Sequence, residues 1–253
     1  EQYIMAGLLA QELEEAGFSV EQRLGMGTAV VYEAIRNGTV DVYVEYTGTV
    51  WANFMSRESN PGREGIRSGV VEFLEEQNVT TVGFTGFQNR YALAMRRDRA
   101  LELGVTSIED LIPIAAELSA GSDLEFFGRT EWFRLRDLYN IDFADKLTFD
   151  VSLMYTAVAE RQVDVISAYT TDGRVAAYDL LLLDDPRNAL LAYDAMILAS
   201  GNAAAQPKFM QVLDTLVDSI PDEAMRQANR LVDVNGESIT VALEYLRGEM
   251  TKN

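Results

Sequence analysis

The sequence predicts an α/β protein built from two similar lobes. The first observation is a strand-like stretch, residues 40–49, in which apolar side chains alternate before a Tyr-Thr-Gly-Thr turn. The second is that residues 163–170 repeat this stretch at a constant offset of 123 residues. The third is that short apolar strands alternate with segments of helical composition, which favours parallel βαβ units. A helix-strand unit that occurs twice predicts one such unit in each lobe.

Helices and strands alternate along the first third of the chain. Residues 3–15 place apolar side chains on one helical face, and Gly17 is positioned to end that helix. Apolar residues at alternate positions predict a first strand over residues 18–24. The further elements predicted here are a helix over 29–36, a strand over 40–46, helices over 50–55 and 63–77, and a strand over 79–84.

A polar loop at residues 87–91 marks a change of pattern, and we place a lobe boundary there. Lobe 1 is predicted to comprise residues 1–88 and 195–253, and lobe 2 residues 89–194. Two strands that begin on tyrosines are assigned as the crossings between the lobes. The elements predicted in this part are a strand over 91–95, short and longer helices over 107–114 and 130–138, a helix-strand unit over 152–170, a strand over 193–199, and helices over 207–219, 221–230 and 238–247.

Composition narrows the chemistry that this protein can perform. The chain contains no cysteine and no histidine. It therefore lacks a thiol nucleophile, a Ser-His or Cys-His pair, and the usual zinc ligands. No cofactor motif is present, so we expect no cofactor and no metal. Absence of cysteine is also consistent with an extracytoplasmic protein.

The net charge of −19 comes from 40 acidic and 21 basic residues. This balance disfavours a nucleic acid partner, because binding of phosphate backbones needs a basic surface. A solvated acidic surface is the favoured interpretation, and attraction of a cationic ligand is the alternative. We expect no membrane-spanning segment, since no run of about 18 apolar residues occurs. The chain also opens without a basic and apolar leader, so we expect a secretion signal to be absent or already removed.

Four tyrosines are predicted to stand at strand ends near one cleft, where ligands of open α/β sheets bind. Several aromatic faces can surround a quaternary ammonium group, which is positive but offers no N–H donor to a carboxylate. Ordinary packing is the alternative for each ring taken alone. We assign Tyr32, Tyr43 and Tyr155 to packing. The candidate ligand-binding tyrosines are Tyr46, Tyr91, Tyr169 and Tyr193.

Several motifs spread over nearly the whole chain resemble one known family, the substrate-binding proteins of osmoprotectant ABC importers. Members of this family take up glycine betaine, choline and related quaternary amines. The motifs that carry the resemblance are Glu1-Gln2-Tyr3, residues 41–49, Tyr91-Ala92-Leu93-Ala94, Gly121-Ser122-Asp123 with Glu125-Phe126 and Arg129, residues 163–165 and 168–172, and Tyr193-Asp194-Ala195.

The resemblance implies a bilobed, type II periplasmic-binding-protein fold that closes on its ligand, with the two crossing strands as hinge. It implies that the four candidate tyrosines form a box around a trimethylammonium head. Arg129 and Thr49 match positions that bind the ligand carboxylate, which suits the planar fork of an arginine. Many relatives have an acidic residue at the position of Asn89, so this chain lacks that charge; Asn89 is included among the predicted ligand-binding residues.

The resemblance further implies an ABC permease subunit as partner, a monomeric state, and a location in the periplasm or on the outer face of the cytoplasmic membrane. Betaine-like ligands such as ergothioneine or carnitine remain alternatives to glycine betaine and choline. A ligand sensor without transport is another. An enzyme that uses Glu45 and Asp172 as an acid-base pair is a further alternative, although no nucleophile, metal or cofactor motif accompanies those carboxylates.

Overall fold

The computed structural model describes residues 1–250 and divides into two compact units. Of the described residues, the first comprises 1–89 and 192–250, and the second 90–191. The chain therefore passes from one unit to the other at residues 89–90 and returns at 191–192. These boundaries fall one residue after and three residues before the ones that the sequence suggests. Residues 251–253 of predicted lobe 1 lie outside the described residues.

Two sheets, one in each unit, hold the eight strands of residues 1–250. The strands are β1 (Val42–Tyr46), β2 (Val79–Gln88), β3 (Tyr91–Arg96), β4 (Ser119–Ser122), β5 (Asp145–Thr148), β6 (Val165–Tyr169), β7 (Leu180–Leu182) and β8 (Asp194–Ser200). The order in the first unit is β1-β8-β2, and in the second β5-β4-β6-β3-β7.

Helices connect the strands in both units. Those of the first unit are α1 (Gln2–Glu15), α2 (Thr28–Arg36), α3 (Thr47–Thr49), α4 (Gly62–Glu76), α10 (Gly201–Ala204), α11 (Pro207–Asp214), α12 (Asp222–Asp233) and α13 (Ile239–Glu249). Those of the second are α5 (Arg97–Leu103), α6 (Ile108–Leu111), α7 (Thr130–Tyr139), α8 (Val151–Ala159) and α9 (Gly173–Ala177). A π-helical turn (Val50–Phe54) and two 3₁₀ turns (Ala115–Glu117 and Phe126–Gly128) complete the elements.

Strand β8 is the centre of the first unit's sheet and is buried along its whole length. It pairs antiparallel with both β1 and β2. The prediction of parallel neighbours is therefore wrong for this sheet. The reason is topological, because the strand that returns from the second unit inserts between the two strands contributed by the first part of the chain.

The core of the first unit packs this sheet against helices of the same unit. Helix α1 buries residues at helical spacing, among them Ile4, Leu8 and Leu13. These side chains pack in one cluster with residues of β1, β8, α11, α12 and α13. The predicted helices over 3–15, 29–36 and 63–77 are confirmed, each with an end shifted by about one or two residues.

The second unit combines parallel and antiparallel pairs in one sheet. Strand β4 is parallel to β5 and β6, whereas β3 is antiparallel to β6 and β7. A capping box opens α6, with Ser107 and Asp110 as reciprocal partners. Strands β4, β5 and β7 had no sequence prediction, because they are three or four residues long and show no sustained alternation.

The prediction of a strand over residues 18–24 is wrong, since these residues belong to neither sheet. Phe18 packs edge-on against Phe209, with ring centroids 5.6 Å apart, and Val20 also contacts the core. The alternating apolar side chains are thus partly buried without pairing of the backbone. Strand β1 consequently forms an edge of its sheet.

An ion cluster around one buried carboxylate holds the start of β8. Asp194 is 1% exposed, and its Oδ1 accepts hydrogen bonds from Arg63 (2.6 and 2.9 Å) and Arg67 (2.7 Å), both on α4. The arginine side chains are 44% and 20% exposed. The cluster therefore joins the amino-terminal half of α4 to the first residue of the central strand.

We expect Asp194→Ala to lower the free energy of unfolding by about 3 kcal/mol, because it leaves two neighbouring guanidinium groups without their shared carboxylate. Urea unfolding would measure the change. Glu33→Ala is the control, since it removes an exposed partner of Arg36 and should cost less than about 1 kcal/mol. Equal losses in the two variants would contradict a special role for the cluster.

Candidate functional site

In the first unit, Tyr46 ends β1 with its ring buried and its hydroxyl bonded to the Glu1 carboxylate. The same carboxylate accepts hydrogen bonds from the side-chain amides of Asn89 (3.1 Å) and Asn229 (2.9 Å). Burial, followed by the nearby Glu1 charge, raises the pKa of Tyr46 well above its usual value. One carboxylate thus fixes Tyr46, the residue after β2, and helix α12 relative to one another.

Tyr193, which immediately precedes β8, is held from both sides by the turn that follows Tyr46. The Thr47 hydroxyl donates to the carbonyl of Ala192 (3.2 Å) and accepts from the Asp194 amide (2.9 Å). A Cβ atom at Gly48 would lie 2.6 Å from the Tyr193 ring, so the ring rests directly on the glycine. Glycine is therefore required at this position by close approach.

Thr49 lies one turn beyond Tyr46, beside the buried carboxylate of Glu45. Glu45 accepts hydrogen bonds from the Tyr46 amide (2.8 Å), the Tyr43 hydroxyl (3.3 Å) and the Thr49 side chain. Burial nevertheless dominates these contacts and raises the pKa of Glu45 to about 7. Glu45 therefore supports the turn that carries Thr49, and its charge changes near neutral pH.

In the second unit, Tyr91 and Tyr169 are direct cross-strand partners on β3 and β6. Their ring centroids are 4.8 Å apart and their hydroxyl oxygens 3.0 Å apart. The Tyr169 amide also donates to the hydroxyl of Tyr155 (3.1 Å), a residue predicted to serve packing alone. Tyrosines separated by 78 positions in the sequence thus form one aromatic pair.

The second copy of the Tyr-Thr turn makes the same kind of contact as the first. The Thr170 hydroxyl accepts a hydrogen bond from the Arg90 amide (3.1 Å), and the Thr170 amide donates to the Arg90 carbonyl (3.0 Å). Arg90 directly precedes Tyr91. In both units, therefore, the threonine after one tyrosine holds the backbone next to the other.

Asp123 is a buried carboxylate that belongs to one of the motifs of the family resemblance but is not among the predicted ligand-binding residues. Its Oδ2 lies 3.2 Å from the Tyr91 hydroxyl and 3.4 Å from the Tyr169 hydroxyl. Burial is the first cause that raises the pKa of both phenols, and the Asp123 charge adds to it. This carboxylate therefore connects the loop after β4 to the aromatic pair.

Arg129 lies beside the same pair, with its Cζ atom 5.6 Å from the centroid of the Tyr91 ring. Its guanidinium also contacts the carboxylates of Glu125 (3.0 Å) and Glu131 (3.3 Å). The Arg129 side chain is 33% exposed. The predicted carboxylate-binding arginine is thus next to the predicted aromatic residues, and it already has acidic neighbours.

Each unit brings its own subset of the candidate residues together. The first unit gathers Tyr46, Tyr193, Thr49 and Asn89, and the second gathers Tyr91, Tyr169 and Arg129. The contacts that the sequence did not predict are those of Glu1, Thr47, Gly48, Asp123 and Thr170. All five lie inside the motifs that carry the family resemblance, and two of them, Thr47 and Thr170, directly follow a candidate tyrosine.

Among residues 1–250, no helix combines the length and the apolar character that crossing a membrane demands. Within the same residues, no group of three or more histidine, cysteine, aspartate or glutamate side chains is arranged to hold a metal ion.

Comparison with known proteins gives a consistent result over nearly the whole chain. Residues 1–248 match the OpuAC family model, described as "Substrate binding domain of ABC-type glycine betaine transport system". A "Glycine-betaine-binding protein" of Pseudomonas aeruginosa (strain PAO1) is 30% identical over 261 residues, which cover 98% of this chain and 84% of that protein.

A second relative is the "Ergothioneine transport permease/ergothioneine binding protein EgtU" of Helicobacter pylori (strain G27). It is 28% identical over 240 residues, covering 92% of this chain but 43% of that protein. The chain therefore spans less than half the length of this relative.

Among solved structures, the "Crystal structure of glycine betaine/carnitine/choline ABC transporter" matches with a TM-score of 0.87. The match covers 96% of this chain and 92% of that one, at 23% sequence identity. At 23% sequence identity, this structural similarity shows the fold alone, and the fold is that of type II periplasmic binding proteins. The predicted fold class is confirmed.

The raised pKa of Glu45 predicts a pH-dependent stability. The unfolded chain releases this proton near pH 4.5, whereas the folded chain retains it until about pH 7. The free energy of unfolding should therefore decrease as the pH rises from about 4.5 to 7, by about 3 kcal/mol in total, and level off above that range.

Urea unfolding at several pH values, in the wild type and in Glu45→Gln, would measure this contribution as the difference between the two proteins. The variant should lose the pH-dependent component because glutamine does not titrate. Glu33→Gln, on the exposed face of α2, is the control and should follow the wild type. Identical pH profiles for the wild type and Glu45→Gln would show that Glu45 does not titrate as proposed.

Proposed function

Because the chain belongs to the family of substrate-binding domains of ABC-type glycine betaine transport systems, we propose that it captures a quaternary ammonium solute, such as glycine betaine or choline, and delivers it to an ABC permease. The family and its relatives are transport binding proteins rather than enzymes. The acid-base interpretation of Glu45 and Asp172 is thereby removed. We place the protein outside the cytoplasmic membrane, acting as a monomer with a permease subunit as partner.

The observation that carries the proposal is the aromatic pair of Tyr91 and Tyr169 with its carboxylate neighbour. Rings 4.8 Å apart at the ends of adjacent strands present aromatic area, and the phenol groups are directed to Asp123. A trimethylammonium group has no N–H to donate and binds best to aromatic faces. A site made of tyrosine faces therefore selects a methylated cation over a protonated amine.

Tyr46 and Tyr193 are the second pair in the proposal. Both contact the core cluster of the first unit, and both are held in place by polar contacts to neighbouring backbone or carboxylate groups. We propose that all four rings contribute to one cage. Each face is worth about 0.5 to 2 kcal/mol depending on desolvation, so four faces are sufficient for micromolar affinity.

For a ligand that carries a carboxylate, we assign that group to Arg129 and Thr49. The guanidinium fork suits a carboxylate, and Arg129 is next to Tyr91, which would contact the cationic end. Its present partner Glu125 has a side chain that is 74% exposed and is therefore cheap to displace into water. A ligand carboxylate would replace that contact.

Ergothioneine is the second candidate ligand. It is favoured by the similarity to the Helicobacter relative, whose name refers to this compound. Ergothioneine carries the same trimethylammonium and carboxylate groups as a betaine and adds a thione-bearing ring. The aromatic and arginine contacts proposed here would serve both ligands.

Isothermal titration with glycine betaine, choline, carnitine, proline betaine and ergothioneine tests the function directly. We expect at least one dissociation constant in the low micromolar range, about −8 kcal/mol, because several aromatic faces contribute together. Glycine, which has the carboxylate but no methyl groups, is the control and should not bind. No heat of binding with any of the five quaternary amines would refute the proposal.

We expect Arg129→Ala to weaken glycine betaine by at least about tenfold and choline by less than about threefold, because only glycine betaine has a carboxylate. The matched control is Arg136→Ala on α7, whose guanidinium pairs with the exposed Asp137. That variant should bind both ligands like the wild type. Equal weakening of glycine betaine and choline by Arg129→Ala would show that this arginine does not contact the carboxylate.

A further inference from the structure

Asp123 is held in place by the turn that it begins. Its side chain belongs to a residue only 6% exposed, and its Oδ1 accepts hydrogen bonds from the amides of Glu125 (2.8 Å) and Phe126 (2.9 Å). These contacts satisfy the backbone at the start of the 3₁₀ turn and use one carboxylate oxygen. The other oxygen, Oδ2, is left for a different purpose.

The Oδ2 atom lies at the end of a chain of oxygens. It is 3.2 Å from the Tyr91 hydroxyl, which in turn is 3.0 Å from the Tyr169 hydroxyl. A phenol has one proton to donate and a carboxylate has none. Every proton is used when Tyr91 donates to Asp123 and Tyr169 donates either to Tyr91 or directly to Oδ2, which is 3.4 Å away. The carboxylate thereby sets the direction of both hydroxyl groups.

A phenol that donates to an anion becomes more electron-rich. Linked hydrogen bonds polarise one another, and the effect is larger in the low dielectric of a protein interior. The negative face of an aromatic ring is the feature that attracts a cation. Donation to Asp123 therefore increases the attraction that both rings exert on a quaternary ammonium group.

A second reason for a carboxylate here is the arginine on the same ring. The Arg129 guanidinium lies 5.6 Å from the Tyr91 centroid and would repel a ligand cation bound to that tyrosine. The Asp123 charge, which reaches the Tyr91 hydroxyl, offsets this repulsion. Asp123 and Arg129 then match the two ends of a zwitterionic ligand. The Asp123 carboxylate is next to the rings that would hold the ligand's ammonium group, and the Arg129 guanidinium is the group that would bind the ligand's carboxylate.

We propose that Asp123 is a positioning residue for ligand binding, which orients the Tyr91 and Tyr169 hydroxyl groups and strengthens the attraction of their rings for a quaternary ammonium group without itself contacting the ligand. This inference rests on the proposed function. It predicts that Asp123 favours ligands with a positively charged head group over uncharged ligands of the same shape, because Asp123 acts through the electron density of the two rings.

The chain contains a matched control for this role. Asp185 also accepts a phenol hydrogen bond, from Tyr139 (2.5 Å), and two backbone amides, those of Ala189 (3.0 Å) and Leu190 (2.8 Å). It lies in the same unit, and neither Asp185 nor Tyr139 is a candidate ligand residue. Asp185→Asn therefore reports the structural cost of removing a carboxylate with these partners.

The experiment compares ligands that have the same shape but differ in charge. Choline is paired with 3,3-dimethylbutan-1-ol and glycine betaine with 3,3-dimethylbutanoate, in which carbon replaces the ammonium nitrogen. Asp123→Asn should weaken choline and glycine betaine by at least about tenfold, and the uncharged-head analogues by less than about threefold, measured by titration followed by NMR. Asp185→Asn should leave all four affinities unchanged. Equal weakening of a cation and its carbon analogue by Asp123→Asn would overturn the proposal.

Tyr91→Phe provides a second test if Asp123→Asn does not fold. This variant keeps the ring but removes the hydroxyl that connects it to Asp123. It should reduce the preference for choline over its carbon analogue by at least about threefold, because the polarising hydrogen bond is lost. Tyr139→Phe, which cuts the equivalent contact to Asp185, should leave that preference unchanged. An unchanged preference in Tyr91→Phe would contradict action through the phenol.

A spectroscopic measurement separates this inference from the proposed function. With tyrosine labelled by ¹³C at Cζ, Asp123→Asn should move the Tyr91 and Tyr169 resonances upfield, away from the phenolate position, and leave the Tyr139 resonance in place. The two resonances are assigned from Tyr91→Phe and Tyr169→Phe. If Asp123→Asn does not move these resonances, the Asp123 contact is refuted whatever the ligand. If Asp123→Asn does move them but the wild-type protein binds none of the quaternary amines, the proposed function alone is refuted.

Discussion

A buried tyrosine needs an acceptor for its hydroxyl proton, and in this protein that acceptor is repeatedly a carboxylate. Tyr46 donates to Glu1, and Tyr91 to Asp123. Because an unsatisfied buried hydroxyl is costly, each carboxylate determines where its ring can lie. Tyr46 and Tyr91 are therefore fixed at their hydroxyl ends.

Buried carboxylates also make hydrogen bonds elsewhere in the interior. In residues 1–250 the buried carboxylates are Glu45, Asp123, Glu131 and Asp194. Each has a specific donor: amides and phenols for Glu45 and Asp123, and arginines for the other two. A carboxylate can accept several hydrogen bonds at once, because both of its oxygens carry lone pairs. The strongly acidic composition thus contributes to internal order as well as to the surface.

The two Tyr-Thr turns show how a repeated sequence gives a repeated contact. Thr47 holds the backbone on both sides of Tyr193, and Thr170 holds the residue before Tyr91. In each unit the tyrosine of the turn and its partner belong to neighbouring antiparallel segments, so one short hydroxyl can reach across. The same threonine-to-backbone contact therefore occurs once in each unit, and it brings one pair of tyrosines together there. The central position of β8 supports the first pair, since the Asp194 cluster fixes the residue after Tyr193.

The amino-acid pattern by itself determined the α/β class, most of the longer helices, and the tyrosines that the strand ends present. These depend on spacing within a few residues, as with Leu8 and Leu13 on α1, and local periodicity records such burial directly. Alternation alone misled at residues 18–24, because partial burial of Phe18 and Val20 does not require a paired strand. Tertiary structure decided the insertion of β8 between β1 and β2, the bond from Asn229 to Glu1 across 228 positions, and the contact between Tyr91 and Asp123. Such contacts join side chains far apart in the chain, and no local pattern of residues specifies which distant partner completes a hydrogen bond.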